Sequence, residues 1–333
     1  MSEVKSYLAA ADVGGTTVKL GFFTPEGELL KKWEIKTDVS DHGKNILADL
    51  CASVQKEAGE VPVAGLGICV PGAVDENSVV HTCVNLGWGI VDLKKEVGKL
   101  VPEIPVIKFG NDATVAALGE LWKGAGKKYH SAYLYTLGTG VGGGYANQRG
   151  IISGAHGAAA EVGHIIINNK ETVKCTCGRC GCVEQYASAN GTVRTAKNLL
   201  ALKNGTEFEN RLHVERLFDI EIPEGPSPLD TMETFTSKDI VDLAKDGDAF
   251  AMCILDTVAK CLGLAMGHTS CAIDPEVFVI GGGMSRAGSI LTDAIKKHLS
   301  VYAFPPAKDT DVIVAELGND AGIYGCACML LEN

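Results

Sequence analysis

Short apolar runs that end in glycine-rich turns dominate the first part of the chain. Tyr7–Phe23 predicts a strand, a Gly/Thr turn and a second strand, and a third strand follows to about Lys36. The apolar spacing then predicts helix 43–58, strand 63–70, strand 104–110 and helix 113–123. Strands mixed with helices in this order are typical of an α/β protein.

The later part of the chain repeats this pattern. Ala132–Tyr145 again predicts strand, Gly/Thr turn and strand, and its Leu-Gly-Thr-Gly parallels the Val-Gly-Gly-Thr that begins at Val13. The remaining predicted elements are helices 183–203 and 237–270, strands 276–280 and 312–316, and helix 320–331. Residues 204–236 predict an irregular insertion or a helix–loop connection.

The repeat predicts two related α/β lobes that face a cleft. We expect a small lobe of residues 1–111 plus 319–333, and a large lobe of residues 112–318 with a metal-binding loop. Helices 183–203 and 248–270 could carry a dimer interface, and a homodimer is expected, although core packing is the simpler explanation of both helices.

Composition and charge indicate which cellular compartment and which binding partners to expect. The chain starts without an apolar leader and has no run long enough to span a bilayer, so we expect a soluble cytoplasmic protein with no membrane partner. The 12 cysteines suit a reducing compartment. A net charge of -11 argues against a nucleic-acid partner, because phosphate backbones require clustered Lys and Arg.

Three glycine loops are candidates for phosphate binding, because unhindered backbone N–H groups hold phosphates. They lie at residues 14–17, 138–140 and 281–283. The P-loop pattern is absent from the sequence, and a Rossmann motif fails at 281–283 because Arg286 occupies the third glycine position. Each loop alone is explained by a hairpin turn, but three in one chain indicate a nucleotide.

Four cysteines within eight residues predict a metal site. Cys175, Cys177, Cys180 and Cys182 offer thiolates to a Zn²⁺ ion, and His164 is the nearest candidate for another donor. Counting does not decide which three sulfurs ligate. A redox pair or a chance cluster is the alternative.

These motifs resemble a known family. Asp12-Val-Gly-Gly-Thr-Thr-Val-Lys, Leu137-Gly-Thr-Gly and Val279-Ile-Gly-Gly-Gly resemble the phosphate and adenosine motifs of the actin/hexokinase-like ATPase superfamily. The run from Glu161-Val-Gly-His to Glu184 is similar to the ROK (repressor, open reading frame, kinase) signature. Among ROK members, the chain most resembles the bacterial ATP-dependent glucokinases.

The resemblance implies the fold, the cofactors and the site residues. It implies two ribonuclease H-like lobes, ATP and Mg²⁺, and a structural zinc ion bound by His164, Cys175, Cys177 and Cys182. Cys180 would be a spare thiol, or would replace His164. The implied sugar contacts are Gly72, Asn85, Asn111, Asp112, Glu161, His164 and Glu184.

Asp112 follows a buried strand at the start of a helix, which makes it a candidate base, and the resemblance implies that it is the catalytic base. A helix N-cap is the alternative role for this residue. Asp12 would hold Mg²⁺ through water. The implied nucleotide contacts are Gly14, Gly15, Thr16, Thr17, Gly138, Thr139, Gly140, Gly281 and Gly282.

The expected reaction is phosphorylation of glucose at its 6-hydroxyl by ATP. The alternatives are a kinase for N-acetylmannosamine, N-acetylglucosamine or fructose, and, in another class, a non-catalytic sugar-binding module. A ROK repressor would carry a winged helix before the first phosphate loop, and only eleven residues precede Asp12 here.

Overall fold

The computed structural model describes residues 6–81, 83–206 and 214–331. Its strands are β1 (Tyr7–Val13), β2 (Thr17–Phe23), β3 (Leu29–Lys36), β4 (Val63–Val70), β5 (Val79–Val80), β6 (Val91–Asp92), β7 (Ile107–Asn111), β8 (Ser131–Leu137), β9 (Val141–Asn147), β10 (Gly150–Ile151), β11 (Val277–Gly281) and β12 (Asp311–Val314). Its α-helices are α1 (Ile46–Ala58), α2 (Leu93–Leu100), α3 (Asp112–Lys123), α4 (Glu184–Ala187), α5 (Ala189–Lys203), α6 (Ser237–Lys245), α7 (Ala249–Ile273), α8 (Ser289–Tyr302) and α9 (Ala321–Leu331).

The first sheet has the strand order β3-β2-β1-β4-β7. β1 and β2, and β2 and β3, pair antiparallel, whereas β1 and β4, and β4 and β7, pair parallel. The parallel strands therefore end at one edge of the sheet. Asp12 pairs with Cys69 there, and Val70 pairs with Asn111. Ligands of open α/β sheets bind at the carboxyl ends of such strands.

The second sheet repeats this order as β10-β9-β8-β11-β12. β10 and β9 pair antiparallel, and β11 and β12 pair parallel. The repeat that the two Gly/Thr hairpins predicted is thus present in the sheets. β5 and β6 form a separate two-stranded sheet.

The chain divides into two compact units. Among the described residues, one falls within Met1–Leu134, Gly144–Ala160 and Glu316–Asn333, and the other within Tyr135–Gly143 and Glu161–Ala315. The units therefore do not divide at residues 111 and 112, where we predicted the lobe boundary. The reason is that α3 packs along α9, which keeps the helix after Asn111 in the first unit.

Glycines allow α3 and α9 to approach closely. A Cβ atom on Gly325 would lie 1.8 Å from the Val115 carbonyl oxygen, and one on Gly119 would lie 2.2 Å from the Ala321 carbonyl oxygen. A residue larger than glycine would therefore clash with the backbone at either position.

A buried carboxylate joins the same two helices. Glu120 on α3 is 0% exposed. Its Oε2 accepts hydrogen bonds from the Ala125 N–H at 2.9 Å and the Glu316 N–H at 3.1 Å, and its Oε1 accepts one from the Leu317 N–H at 2.8 Å. Glu120 thus holds the segment that leads into α9.

Two predicted helices are each divided in the structure. Helix 183–203 is interrupted at Ser188, whose side chain caps α5 by accepting from the Gly191 N–H. Helix 237–270 is interrupted at Gly247, where φ is +88°, and Asp248 then caps α7. Apolar periodicity continues through both interruptions, so the sequence pattern merged each pair. We did not predict α2, α8 or the short strands β5, β6 and β10.

The segment 204–236 was predicted to be irregular. Its described part contains short 3₁₀ turns at Val214–Arg216 and Pro228–Asp230, and residues 207–213 lie outside the described residues. Within the part of the chain that the structure describes, α7 alone is long and apolar enough to cross a membrane, but 67% of its most apolar stretch is buried in the protein. A core helix meets the same criterion.

Candidate active site and metal centre

The first glycine loop joins β1 to β2. Its turn closes where the Gly14 N–H donates to the Thr17 carbonyl at 3.0 Å. The Thr37 hydroxyl donates to the Gly14 carbonyl at 2.7 Å and holds the turn from β3. Gly15 and Thr16 are exposed, so the tip of this loop is accessible to a ligand.

Asp12 lies at the carboxyl end of β1, beside this loop. The Cys69 thiol donates to its Oδ1 at 3.4 Å, a contact that sequence analysis missed. A Cβ atom on Gly322 would lie 2.7 Å from Oδ2. Burial raises the pKa of the Asp12 carboxyl, and the charge of Lys19 lowers it in part. Like the charge of Lys19, a divalent cation stabilises a buried carboxylate, and oxygen is the donor that Mg²⁺ prefers. Asp12 therefore fits the expected cation.

Asn111 and Asp112 lie at the carboxyl end of β7. Asn111 is the N-cap of α3, because its Oδ1 accepts from the Thr114 N–H at 3.1 Å. Asp112 is therefore the first residue of the helix, and the alternative that it is the N-cap is wrong. Its Oδ1 accepts from Asn111 Nδ2 at 3.0 Å and from the Ala113 N–H at 2.7 Å. The carboxylate is thus held in one orientation.

Two more predicted sugar contacts lie in the same unit. The Gly72 carbonyl accepts from Asn111 Nδ2 at 3.3 Å. Asn85 is exposed on the 3₁₀ turn Val84–Leu86. The backbone carbonyl oxygen of Asn85 lies 3.4 Å from the position that a Cβ atom on Gly15 would take. The structure thus brings Gly72 to Asn111, and Asn85 to the first glycine loop.

The second and third glycine loops belong to the other unit. The second loop turns at Thr139, where the Gly138 N–H donates to the Gly140 carbonyl at 3.0 Å. In the third loop Gly282 has φ of +80°, and a Cβ atom there would lie 2.6 Å from the Leu137 carbonyl oxygen. Gly281 is buried as the last residue of β11. The end of β8 and the end of β11 are therefore in direct contact.

The predicted metal ligands converge. The ligand atoms of His164, Cys175, Cys177 and Cys182 all lie within 4.8 Å of one another. Cys175 Sγ lies 3.7 Å from His164 Nδ1. Cys177 Sγ lies 3.6 Å from Cys182 Sγ. Cys180 points elsewhere, with its thiol donating to a backbone carbonyl at 3.5 Å.

The donor set fits zinc. Three thiols and one imidazole at this spacing can complete a tetrahedron around Zn²⁺ with no position left for water. Burial raises the pKa of the Cys182 thiol to about 12, so this sulfur is a thiolate only beside a cation. His164, rather than Cys180, completes the set.

Comparison with known proteins identifies the family that shares these motifs. Residues 8–333 match the ROK family. The chain belongs to the ROK family.

Three relatives show how far the likeness to ROK proteins extends. The glucokinase of Halalkalibacterium halodurans is 37% identical over 326 residues, which cover 96% of this chain and 93% of that protein. The crystal structure of a ROK family glucokinase from Streptomyces griseus, in complex with glucose and AMPPNP, has 31% identity and a TM-score of 0.70, and covers 97% of this chain and 99% of that chain. The N-acetyl-D-glucosamine kinase of Haemophilus influenzae is 26% identical over 96% of this chain and 98% of that protein.

These comparisons confirm two predictions. The chain is a ROK protein, and its fold class is the α/β, actin/hexokinase-like ATPase fold. The roles of individual residues stay predictions.

Sequence analysis of the ROK signature missed Gln185. Its buried side chain accepts from the Gly181 N–H at 2.9 Å and the Cys182 N–H at 3.2 Å, and donates to the Val173 carbonyl at 2.8 Å. Gln185 therefore supports, from α4, the loop of residues 175–182 that carries the candidate metal ligands. Its position next to Glu184 was the only available signal.

The two predicted carboxylate contacts of the ROK signature differ in environment. Glu161 is exposed, and its backbone carbonyl accepts from the His164 N–H at 3.1 Å. Glu184 is partly buried as the first residue of α4. Its Oε2 accepts from the Val141 N–H at 3.0 Å, directly after the second glycine loop.

Proposed function

We propose that this chain is an ATP-dependent glucokinase, which transfers the γ-phosphoryl group of ATP to the 6-hydroxyl of glucose. The observation that carries the proposal is the pair Asn111 and Asp112 at the carboxyl end of β7, with the Asp112 carboxylate held by two hydrogen bonds. The likeness to glucokinases of 37% and 32% identity supports glucose as the acceptor.

Asp112 orients the sugar hydroxyl and accepts its proton. A carboxylate is a weak base, so the proton moves late, as the bond to phosphorus forms. The neighbouring Asn111 amide stabilises the charged carboxylate by donating to Oδ1. Positioning supplies most of the rate enhancement in phosphoryl transfer.

Nucleotide binding is assigned to the glycine loops. Asp12 would hold Mg²⁺ through water, and bound Mg²⁺ neutralises charge on the phosphate oxygens. The proposed phosphate and adenosine contacts are Gly14, Gly15, Thr16, Thr17, Gly138, Thr139, Gly140, Gly281 and Gly282.

Hydroxyl recognition is assigned to side chains that donate or accept hydrogen bonds. The proposed sugar contacts are Gly72, Asn85, Asn111, Asp112, Glu161, His164 and Glu184. His164 Nδ1 faces the cysteines, which leaves Nε2 as the ring nitrogen for a sugar hydroxyl. The zinc ion would be structural, and it would hold the loop that carries Cys175 and Cys177.

A kinase for N-acetylglucosamine is the second candidate, favoured by the N-acetyl-D-glucosamine kinase with 26% identity. N-acetylmannosamine and fructose are further acceptors in this class, and a non-catalytic sugar-binding module is the alternative in another class. We also propose a homodimer in the cytoplasm; the cytoplasmic location is consistent with the 12 cysteines, which suit a reducing compartment.

A coupled ADP-release assay with Mg-ATP over a panel of hexoses tests the proposal. Asp112→Asn is expected to lower kcat on glucose by about 10²- to 10⁴-fold, the usual contribution of a general base. Asp92→Asn is the matched control. Asp92 caps α2 through its Oδ1, and Asn caps helices equally well, so activity should be unchanged.

Each outcome has a clear meaning. Preference for glucose together with loss of activity in Asp112→Asn supports the glucokinase. Preference for an N-acetylated sugar moves the assignment to the second candidate. Absence of sugar-dependent turnover in metal-replete protein contradicts a kinase and supports the binding module.

A further inference from the structure

The Glu184 carboxylate lies against the second glycine loop. Its Oε2 accepts from the Val141 N–H at 3.0 Å. A Cβ atom on Gly140 would lie only 2.3 Å from the same oxygen, so this oxygen lies directly against Gly140. A negative charge therefore occupies the end of the loop that is assigned to the phosphates.

The other carboxylate oxygen faces the metal-binding loop. The Thr176 hydroxyl donates to Glu184 Oε1 at 3.4 Å, and Cys175 Sγ lies 3.8 Å from it. Thr139, at the tip of the glycine loop, lines the same cavity of about 150 Å³ as Cys175, Thr176 and Glu184. One side chain thus connects the metal-binding loop to the glycine loop.

Two demands on Glu184 conflict. A carboxylate on a backbone N–H repels a phosphate that approaches the same loop, because like charges in a partly buried site are poorly screened. A sugar hydroxyl that donates to the carboxylate competes with the Val141 N–H for it. A bound sugar would therefore favour an arrangement in which the carboxylate leaves the glycine loop.

We propose that Glu184 is a positioning residue that couples the two substrates: without sugar its carboxylate holds the Val141 amide and opposes phosphate binding, and a bound sugar draws it away and opens the loop. This inference rests on the proposed function. It predicts that sugar and nucleotide bind with positive coupling, which is reciprocal by linkage. It also predicts little ATP hydrolysis without sugar.

Calorimetric titration of zinc-replete enzyme with Mg-AMPPNP, with and without saturating glucose, tests the coupling. In the unmodified enzyme, glucose is expected to tighten nucleotide binding by about 5-fold or more. Glu184→Gln removes the charge, so its affinity for nucleotide without glucose should rise to the value that the unmodified enzyme reaches with glucose. Glu233→Gln is the matched control, since it removes an exposed carboxylate of the same unit that belongs to no proposed binding site, and it should leave the coupling factor unchanged.

The titration without sugar decides the inference even if Glu184→Gln binds glucose poorly. Unchanged nucleotide affinity of sugar-free Glu184→Gln would overturn it. If metal analysis shows that this variant has lost zinc, Glu184→Asp replaces it. The shorter carboxylate withdraws from Val141, so sugar-free affinity should again rise, and an unchanged value would overturn the inference. Failure of the proposed function is distinguishable, because the unmodified enzyme then gives no glucose-dependent ADP release in the coupled assay.

Discussion

Replacement of Glu120 is expected to destabilise the first unit strongly. This carboxylate is 0% exposed and accepts from three backbone N–H groups at 2.8–3.1 Å. Each buried N–H left without a partner costs about 1–3 kcal/mol. The three N–H groups that Glu120→Ala would leave without this acceptor are partly buried, so the substitution should cost about 3 kcal/mol, a large part of the stability of about 5–15 kcal/mol that is usual for a protein.

Glu120→Gln is the more selective substitution, because it keeps the shape of the side chain and changes only its charge and hydrogen bonding. The amide oxygen of Gln can take the position of Glu120 Oε2, which accepts from two donors, or that of Oε1, which accepts from one. The NH₂ group then takes the other position and faces at least one backbone N–H. The expected cost is about 2–4 kcal/mol, from one or two lost charge-assisted hydrogen bonds.

Amide hydrogen exchange of Ala125, Glu316 and Leu317, together with urea unfolding, measures this cost. Exchange of these three amides should accelerate by about 30-fold or more, since 1.4 kcal/mol corresponds to a factor of ten. Glu96→Gln is the control, because Glu96 forms an exposed pair with Lys99 and such pairs contribute little. Equal effects of the two substitutions would refute the reasoning.

Two further predictions concern the metal and the cation site. Metal analysis should find about one zinc ion per chain. Cys182→Ser should lose the zinc ion and lower the thermal midpoint by more than about 5 °C, whereas Cys180→Ser should keep the zinc ion and the thermal midpoint. Equal loss in the two variants would contradict the assigned ligands. Gly322→Ala should lower kcat by about 10-fold or more, because the added Cβ atom would lie 2.7 Å from the Asp12 carboxylate. Gly98→Ala is the control, because a Cβ atom on Gly98 would have no atom within 4 Å. Full activity of Gly322→Ala would show that the position of Asp12 is unimportant.

The local parts of the fold and site were predictable from sequence. The Gly/Thr turns, the strand ends at Asp12 and Asn111 and the cysteine cluster all depend on residues close together in the chain. Three of the proposed metal donors fall within the eight residues from Cys175 to Cys182, so bringing these thiols together costs little chain entropy. The repeat of two strand–turn–strand segments predicted two related α/β lobes, and the two five-stranded sheets have corresponding strand orders.

Contacts between distant segments were decided only by tertiary structure. Glu120 and Leu317 are separated by 197 positions, and Asp12 and Cys69 by 57. Asn111, rather than Asp112, caps α3, although both residue types suit the position. Periodicity records that a residue is buried, but not which partner it meets there. That choice depends on how the helices and strands pack, because a hydrogen bond requires atoms within about 3 Å and a sequence pattern contains no such distance.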